Sequence, residues 1–264
     1  MNKFIDTHCH FDFPVFYDDI ANSLSLAHQA HIEKIIIPAV ARWNFDVVAE
    51  LANNHHQLYC ALGLHPLYIE EHTEQHLLEL KQKLKTASRC VAIGEIGLDD
   101  YMDNPQPEKQ EAFLIAQLKL AIEFDLPVIL HSRKTHDKLS ALLRRYDVPR
   151  KGVIHGFAGS LQQAEKFIQQ GYFIGVGGTI TYERAQKTRR AIASLPLECL
   201  LLETDAPDMP VSGFQGEPNR PERIQNVFSQ LCDLRQGSPE VIAEQLYLNS
   251  LQLFQLKDNT SSLS

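Results

Sequence analysis

Eight short, almost uniformly apolar runs alternate with helical patterns along this 264-residue chain, and that alternation constrains its fold more than any other feature. The runs fall at residues 3–8, 34–40, 58–64, 90–96, 127–131, 152–155, 172–176 and 200–204. A strand with one face in water alternates apolar and polar residues, whereas near-continuous apolar runs belong to parallel strands buried on both faces. Helical patterns fill residues 18–30, 44–53, 74–87, 107–124, 136–146, 161–170 and 183–195. The clearest, 107–124, places Phe113, Ala116, Leu120, Ala121 and Phe124 on one stripe and leaves Glu108, Lys109, Gln117, Lys119 and Glu123 polar. Eight β/α repeats in about 205 residues predict an α/β fold of the (β/α)8 TIM barrel type. A doubly wound open sheet is the alternative, but its Gly-rich dinucleotide fingerprint is missing.

After Asp205 a loop at 206–221 leads to two further helical patterns, about 222–235 and 239–256, expected to pack outside the barrel. The reading is one domain over 1–264, with a barrel core at 3–205, loop and helices at 206–256 and a frayed tail at 257–264.

The chain carries 25 basic and 33 acidic residues, a formal net charge of −8. Bulk charge therefore argues against a protein that coats nucleic acid or an anionic membrane. An anionic substrate stays open, because bound metal ions are not in that sum. The densest early apolar run, 35–41, holds a proline and falls far short of the ~18 residues of a membrane span. Residues 1–6 reach Asp6 before any apolar core of a signal peptide forms. Five cysteines, at 9, 60, 90, 199 and 232, are an odd number without framework spacing, which predicts free thiols and a cytoplasmic protein.

The ends of the runs carry the chemistry. The first run ends in Asp6-Thr7-His8-Cys9-His10, whose two histidines are two residues apart and share one side of a strand. Cys9 faces the other side and reads as a small core residue. Later runs end in Gly63-Leu64-His65-Pro66, Gly94-Glu95-Ile96-Gly97-Leu98-Asp99, Leu130-His131-Ser132-Arg133, Ile154-His155-Gly156-Phe157 and Leu202-Glu203-Thr204-Asp205-Ala206-Pro207. One histidine at a strand end is ordinary. Repeated placement of His and carboxylate at strand C-termini is what a barrel active site requires. Imidazole plus carboxylate, without thiolate, suits Zn2+, Mn2+, Fe2+, Co2+ or Ni2+.

As an ordered set these motifs, with Pro127-Val128-Ile129-Leu130-His131-Ser132-Arg133 and Ile154-His155-Gly156-Phe157-Ala158-Gly159, resemble the TatD-type metal-dependent deoxyribonuclease family of amidohydrolase-like barrels. The resemblance runs from about residue 3 to 256, and the segment Gly216-Glu217-Pro218-Asn219-Arg220-Pro221-Glu222-Arg223 looks most like its YjjV-type branch. It implies two divalent cations, Zn2+, Mn2+ or Mg2+. His8, His10 and Asp205 would hold one, His131 and His155 the other, and Glu95 would bridge them. His65 would contact a substrate phosphate. The implied activity is exonuclease-like cleavage of phosphodiester bonds in DNA by a metal-activated water, with Asp205 and Glu95 as catalytic groups. DNA ends or small phosphodiesters are the expected substrates, with neither a membrane nor a stable protein partner. The alternative is hydrolysis of a small-molecule ester, lactone or amide on the same dinuclear site, because one barrel hosts many chemistries. A silent nucleic-acid-binding relative would lack a ligand, and none is missing.

Several residues stay open between two roles. Arg133 follows His131 and either grips a flanking phosphate or forms a salt bridge. Phe157 and Tyr182 either stack on bases or pack at the rim. Lys187, Arg189 and Arg190 read as a solvated basic helix face. Glu203, two residues before Asp205, faces inward and either supports a ligand or faces the phosphate. Histidines 28, 31, 55, 56, 72, 76 and 136 are expected on the surface or in helix packing.

Overall fold

The structure is a computed structural model and describes residues 2–258. Eight strands pair in parallel, each beside the next in sequence: β1 (Phe4–Asp6), β2 (Ile32–Pro38), β3 (Leu58–Leu62), β4 (Cys90–Asp99), β5 (Val128–Arg133), β6 (Gly152–Ile154), β7 (Phe173–Val176) and β8 (Leu200–Leu202). Helices α1 (Pro14–Tyr17), α2 (Ile20–Gln29), α3 (Phe45–Asn54), α4 (Glu74–Leu84), α5 (Pro107–Glu123), α6 (His136–Arg145), α7 (Leu161–Ile168) and α8 (Gln186–Ser194) fill the connections. This is the expected TIM-barrel-like α/β fold, with the short α1 added.

The period of two along each strand sorts its side chains. In β2, Ile36 joins Ile5, Ala61, Ala92, Ile129, Val153 and Leu201 in an inner cluster, while Ile35 and Ile37 join the outer core shared with the helices. Both faces are thus dry, which is why the runs read as continuous apolar stretches.

The barrel closes between β8 and β1 through the segments that follow the strands. Thr7 N donates to Leu202 O at 3.1 Å, Asp205 N to His8 O at 2.8 Å and His10 N to Ala206 O at 2.8 Å. Asp6 clasps this seam. Its carboxyl accepts Thr204 Oγ1 at 2.6 Å, Thr204 N at 3.0 Å and His8 N at 3.3 Å. Burial pushes Asp6 up to about 8. Consequently β1 ends at Asp6 rather than at His8, because the chain leaves the ladder to make these contacts. β4 instead runs on to Asp99, three residues past the expected end, because it keeps pairing with β5 through Asp99 and Arg133.

Two helices follow β8, α9 (Ile224–Arg235) and α10 (Pro239–Phe254). α9 packs outside as expected, with Phe228 against Phe4 at 4.9 Å between centroids. α10 goes further. Its Tyr247, Leu253 and Phe254, with Leu256 beyond, join the inner cluster beside Tyr59, Val91 and Phe173 at the starts of strands. The end of the barrel opposite the histidines is therefore floored by α10. Of the expected tail, residues 259–264 lie outside the described residues. No helix among the described residues is long and apolar enough to cross a membrane.

Candidate metal centre

Seven side chains, five of them just beyond the ends of four strands and two within strands, converge at the C-terminal mouth of the barrel. His8 and His10 follow β1, His65 follows β3, His155 follows β6 and Asp205 follows β8, while Glu95 lies in β4 and His131 in β5. Six of them, all but His8, line a cavity of about 480 Å³. His8 lies behind them, fully buried.

Glu95 sits at the middle and its two oxygens face different partners. Oε2 lies 3.0 Å from His8 Nε2 and 3.8 Å from His10 Nε2. Oε1 lies 2.7 Å from His155 Nε2, 2.8 Å from His65 Nε2 and 3.2 Å from His131 Nδ1. Asp205 joins the first group, with Oδ1 3.4 Å from His8 Nε2 and 3.6 Å from His10 Nε2. Burial alone would push Glu95 up, but the imidazoles at 155, 65 and 8 outweigh it and hold the carboxylate well below its usual range. Burial, helped by the neighbouring His155, keeps His8 well below the usual imidazole value. Burial pushes Asp205 up to about 6, against the opposing pull of His155 and His10.

Outer residues fix these rings. His131 Nε2 faces Asp99 Oδ2 at 2.8 Å, which turns Nδ1 toward Glu95. Gly156 N donates to Glu203 Oε1, which also lies 3.7 Å from His155 Nδ1. Gly175 on β7 leaves room for this, since a Cβ there would sit 2.5 Å from Glu203 Oε2. Of the two roles open to Glu203, it therefore has the supporting one. Two glutamines of α5 grip the backbone beside the site. Gln110 exchanges hydrogen bonds of 2.8 Å with both the N–H and the carbonyl of Asp99. Gln117, read from sequence as part of the polar face, is instead buried and accepts from Leu64 N at 2.7 Å. Asp99, Gln110 and Gln117 were not assigned from sequence. Asp99 stands four residues after Glu95 in a quoted motif, which is the signal that was available.

His65 differs from the other imidazoles. Its Nδ1 accepts Leu67 N at 2.9 Å, so the proton of the neutral ring sits on Nε2. That nitrogen is then a donor, unlike a ligand nitrogen, which needs a free lone pair. His72 Nε2 in turn donates to the carbonyl of His65 at 2.9 Å.

His72 and His136 are buried, His72 against Phe113 of α5 at 5.8 Å and His136 against Phe167 of α7 at 6.1 Å between centroids, so of the two expected placements both take helix packing. Burial pushes His72 down to about 4. Its unfolded form takes a proton near 6.5 and its folded form does not, so stability from this residue is present above 6.5 and is lost as pH falls toward 4. His72→Gln keeps a donor for His65 O without the titration. Its melting temperature should therefore fall less than wild type between pH 6.5 and 4.5, and equal slopes in calorimetry would refute the assignment.

The donor set fits a metal. It holds imidazole and carboxylate without thiolate. His8 Nε2, which faces Glu95 and Asp205, is buried without a hydrogen-bond partner among the described residues. Such an atom is costly unless a proton or cation lies between it and its neighbours. Three groupings have ligand atoms within 4.8 Å of one another: His8, His155 and Asp205; His8, His10 and Glu95; and His65, Glu95 and His131.

The family model described as TatD related DNase matches residues 5–255. The chain belongs to the TatD family. It is a metal-dependent hydrolase, 58% identical over 253 residues to the uncharacterized metal-dependent hydrolase YjjV of Escherichia coli, covering 96% of this chain and 98% of that one. The crystal structure of Escherichia coli YjjV superposes with a TM-score of 0.95 over 96% of this chain and 98% of that chain. An uncharacterized metal-dependent hydrolase of Haemophilus influenzae is 47% identical over 259 residues, covering 95% and 99% of the two chains. The 3'-5' ssDNA/RNA exonuclease TatD of Erwinia tasmaniensis is 32% identical over 249 residues, covering 91% and 95%.

Of the remaining candidates in this TatD-family chain, Arg133 lines the cavity and lies over the Tyr101 ring at 3.9 Å, with no ion pair among the described residues. Phe157 is buried, so it packs rather than stacks on a base. Tyr182 donates its hydroxyl to Pro210 O at 2.6 Å and belongs to the rim. Lys187 and Arg190 are exposed, as expected, but the Arg189 guanidinium turns inward to Ile180 O. Cys9 is buried in the core, and all five cysteines are free.

Proposed function

We propose that this TatD-family hydrolase cleaves phosphodiester bonds at DNA ends with two divalent cations, which Glu95 would hold in common between the two ligand sets. The observation that carries the reading is the division of labour at Glu95, whose Oε2 faces His8 and His10 while Oε1 faces His131 and His155. His8, His10 and Asp205 form one ligand set, His131 and His155 the other. Zinc, manganese and magnesium are the candidates. The 3'-5' exonuclease relative supports the substrate class. Free thiols fit a cytoplasmic enzyme.

Bound cations supply a Lewis acid for the phosphoryl oxygens and a water that loses its proton more readily. They also make the site locally positive on a protein of net charge −8, so a few phosphates are held without a broad basic surface. Asp205 accepts the proton of the attacking water and returns it to the leaving oxygen. Burial sets its carboxyl at about 6, and cations held by His8 and His10 would draw it lower, which would leave it ionised and able to accept near neutrality. His65 presents Nε2–H to a non-bridging phosphate oxygen. Arg133 holds the flanking phosphate.

His65→Ala should keep its cations and lose about 10–100-fold in kcat/KM, the worth of one hydrogen bond to a charged oxygen. A fall in bound metal would show that His65 is a ligand instead. The reading itself is tested by reconstituting the protein with each cation and assaying single-stranded DNA, double-stranded DNA, RNA and small phosphodiesters. Turnover of DNA from its ends supports it. Turnover of esters, lactones or amides without any of these substrates overturns it.

A further inference from the structure

Trp43 is the only tryptophan of the chain, and its side chain is 54% exposed on the rim of the barrel mouth. An exposed indole wastes the largest apolar surface a residue can bury, unless a ligand covers it. The turn that carries it, Arg42–Asn44 between β2 and α3, is tightly held on both sides. Asn44 is buried. Its Oδ1 accepts Val40 N at 3.1 Å and Ala41 N at 3.3 Å, and its Nδ2 donates to Asp12 Oδ2 at 3.0 Å. Arg42 is fixed to Glu79, and to Asp46 at 3.5 Å. The indole is thus displayed by an anchored backbone, the condition under which a surface aromatic binds without a large ordering cost.

From Trp43 a line of rings runs into the cavity. The indole stands edge-on to Tyr68, with centroids 5.9 Å apart at 79°, and Tyr68 stands edge-on to His65 at 6.5 Å and 76°. Tyr68 and His65 both line the cavity. Two ring-to-ring steps therefore separate Trp43 from the imidazole assigned to the phosphate. Further along the same rim, Arg133 and Lys134 also line the cavity and lie over the Tyr101 ring at 3.9 and 4.2 Å. The rim thus offers a π-face after β2 and two steadied cations at the end of β5. A nucleotide strand carries the complement of both, base and phosphate together, whereas a simple ester, lactone or amide carries neither.

We infer that Trp43, backed by Tyr68, is the stacking platform for a nucleobase of the substrate strand, with Arg133 and Lys134 holding a phosphate of the same strand. Resting on the phosphodiesterase reading above, this makes Trp43 a specificity residue that selects nucleic acid over base-free phosphodiesters. Stacking on an aromatic is indifferent to base identity, so the preference is for a base rather than for a sequence.

Because the chain has one tryptophan, its emission reports this position alone. The cation-loaded protein is titrated with a single-stranded oligonucleotide protected by terminal phosphorothioates, and with the same strand made abasic over its terminal nucleotides. The base-bearing strand should quench and shift Trp43 emission saturably, and the abasic strand should not. With cleavable strands, Trp43→Ala should raise KM about 10-fold while kcat changes less than about twofold, and Trp43→Phe should recover most of the loss. On abasic-ended strands Trp43→Ala and wild type should be equal. Cleavage of oligonucleotides with unaltered Trp43 emission and an unaltered KM in Trp43→Ala would overturn the platform and leave the nuclease reading standing. Failure of wild type to bind or cleave any oligonucleotide with any cation would overturn the nuclease reading and the platform with it.

Discussion

Asp205→Asn should fold, keep the cation at His131 and His155, and lose about 10²–10⁴ in kcat, the usual worth of a positioned acid–base group. The change isolates the proton because so little else moves. Asp205 has a positive φ of 58°, a conformation that Asn tolerates better than almost any other residue apart from Gly. Its backbone N–H keeps the 2.8 Å bond to His8 O that closes the barrel seam. The amide oxygen still faces His8 and His10, so occupancy there should fall only in part. What disappears is the basicity. KM should change much less than kcat, because the group acts mainly in the transition state. The wild-type profile of kcat against pH should fall on its acid side below about 6, the value that burial gives Asp205 before cations lower it, and this limb should vanish in the variant. The measurements are kcat, KM and metal content on one oligonucleotide at matched cation concentrations. A fully metallated variant with wild-type turnover would remove Asp205 from the proton-transfer role.

The parts of this molecule that repeat were legible from sequence. Eight dry strands leave continuous apolar runs because both of their faces are covered, and the side chains that end those runs do converge on Glu95. What closes the barrel was hidden. The Asp6 clasp joins residues 198 positions apart, and no local period marks such a contact. Asp99 went unassigned because β4 was expected to stop at 96, and only the continued pairing with β5 brings its carboxylate under His131. Gln117 reads as a polar position on an amphipathic helix, and Gln110 carries no reading of its own. Their amides are buried because they replace missing backbone partners beside Leu64 and Asp99, an exchange that composition does not reveal. The floor of the barrel escaped notice for the opposite reason. α10 carries ordinary apolar residues, and nothing local distinguishes those that flank a barrel from those that plug it.

Glu95→Gln should abolish two-cation binding and reduce turnover by at least about 10³-fold, more than any single histidine replacement, because one side chain serves both ligand sets. The carboxylate presents an acceptor oxygen to each group of imidazoles. An amide presents one oxygen and one NH2, so one group must face a donor where it needs an anion. The charge lost matters as much. Against the opposing effect of burial, Glu95 holds His155 well above the usual imidazole value, and without it Asp205 is the one carboxylate left inside the ligand set, with Glu203 and Asp99 only behind His155 and His131. Metal-free wild type should therefore release protons as it takes up cations, chiefly from His155 and Asp205. Its affinity should weaken as pH falls, most steeply below about 6, where Asp205 is also protonated. A cation at a thousandfold excess over its Kd stabilises the folded chain by about 4 kcal/mol per site, worth roughly 8–16 °C in Tm for a chain of this size. Wild type should show that rise on loading and lose it in chelator, whereas Glu95→Gln should show at most one site's share. Elemental analysis and scanning calorimetry on the same samples decide the matter. Two equivalents of cation and a full thermal shift in Glu95→Gln would mean that Glu95 is not the bridge, and the ligand sets would have to be redrawn around Asp205.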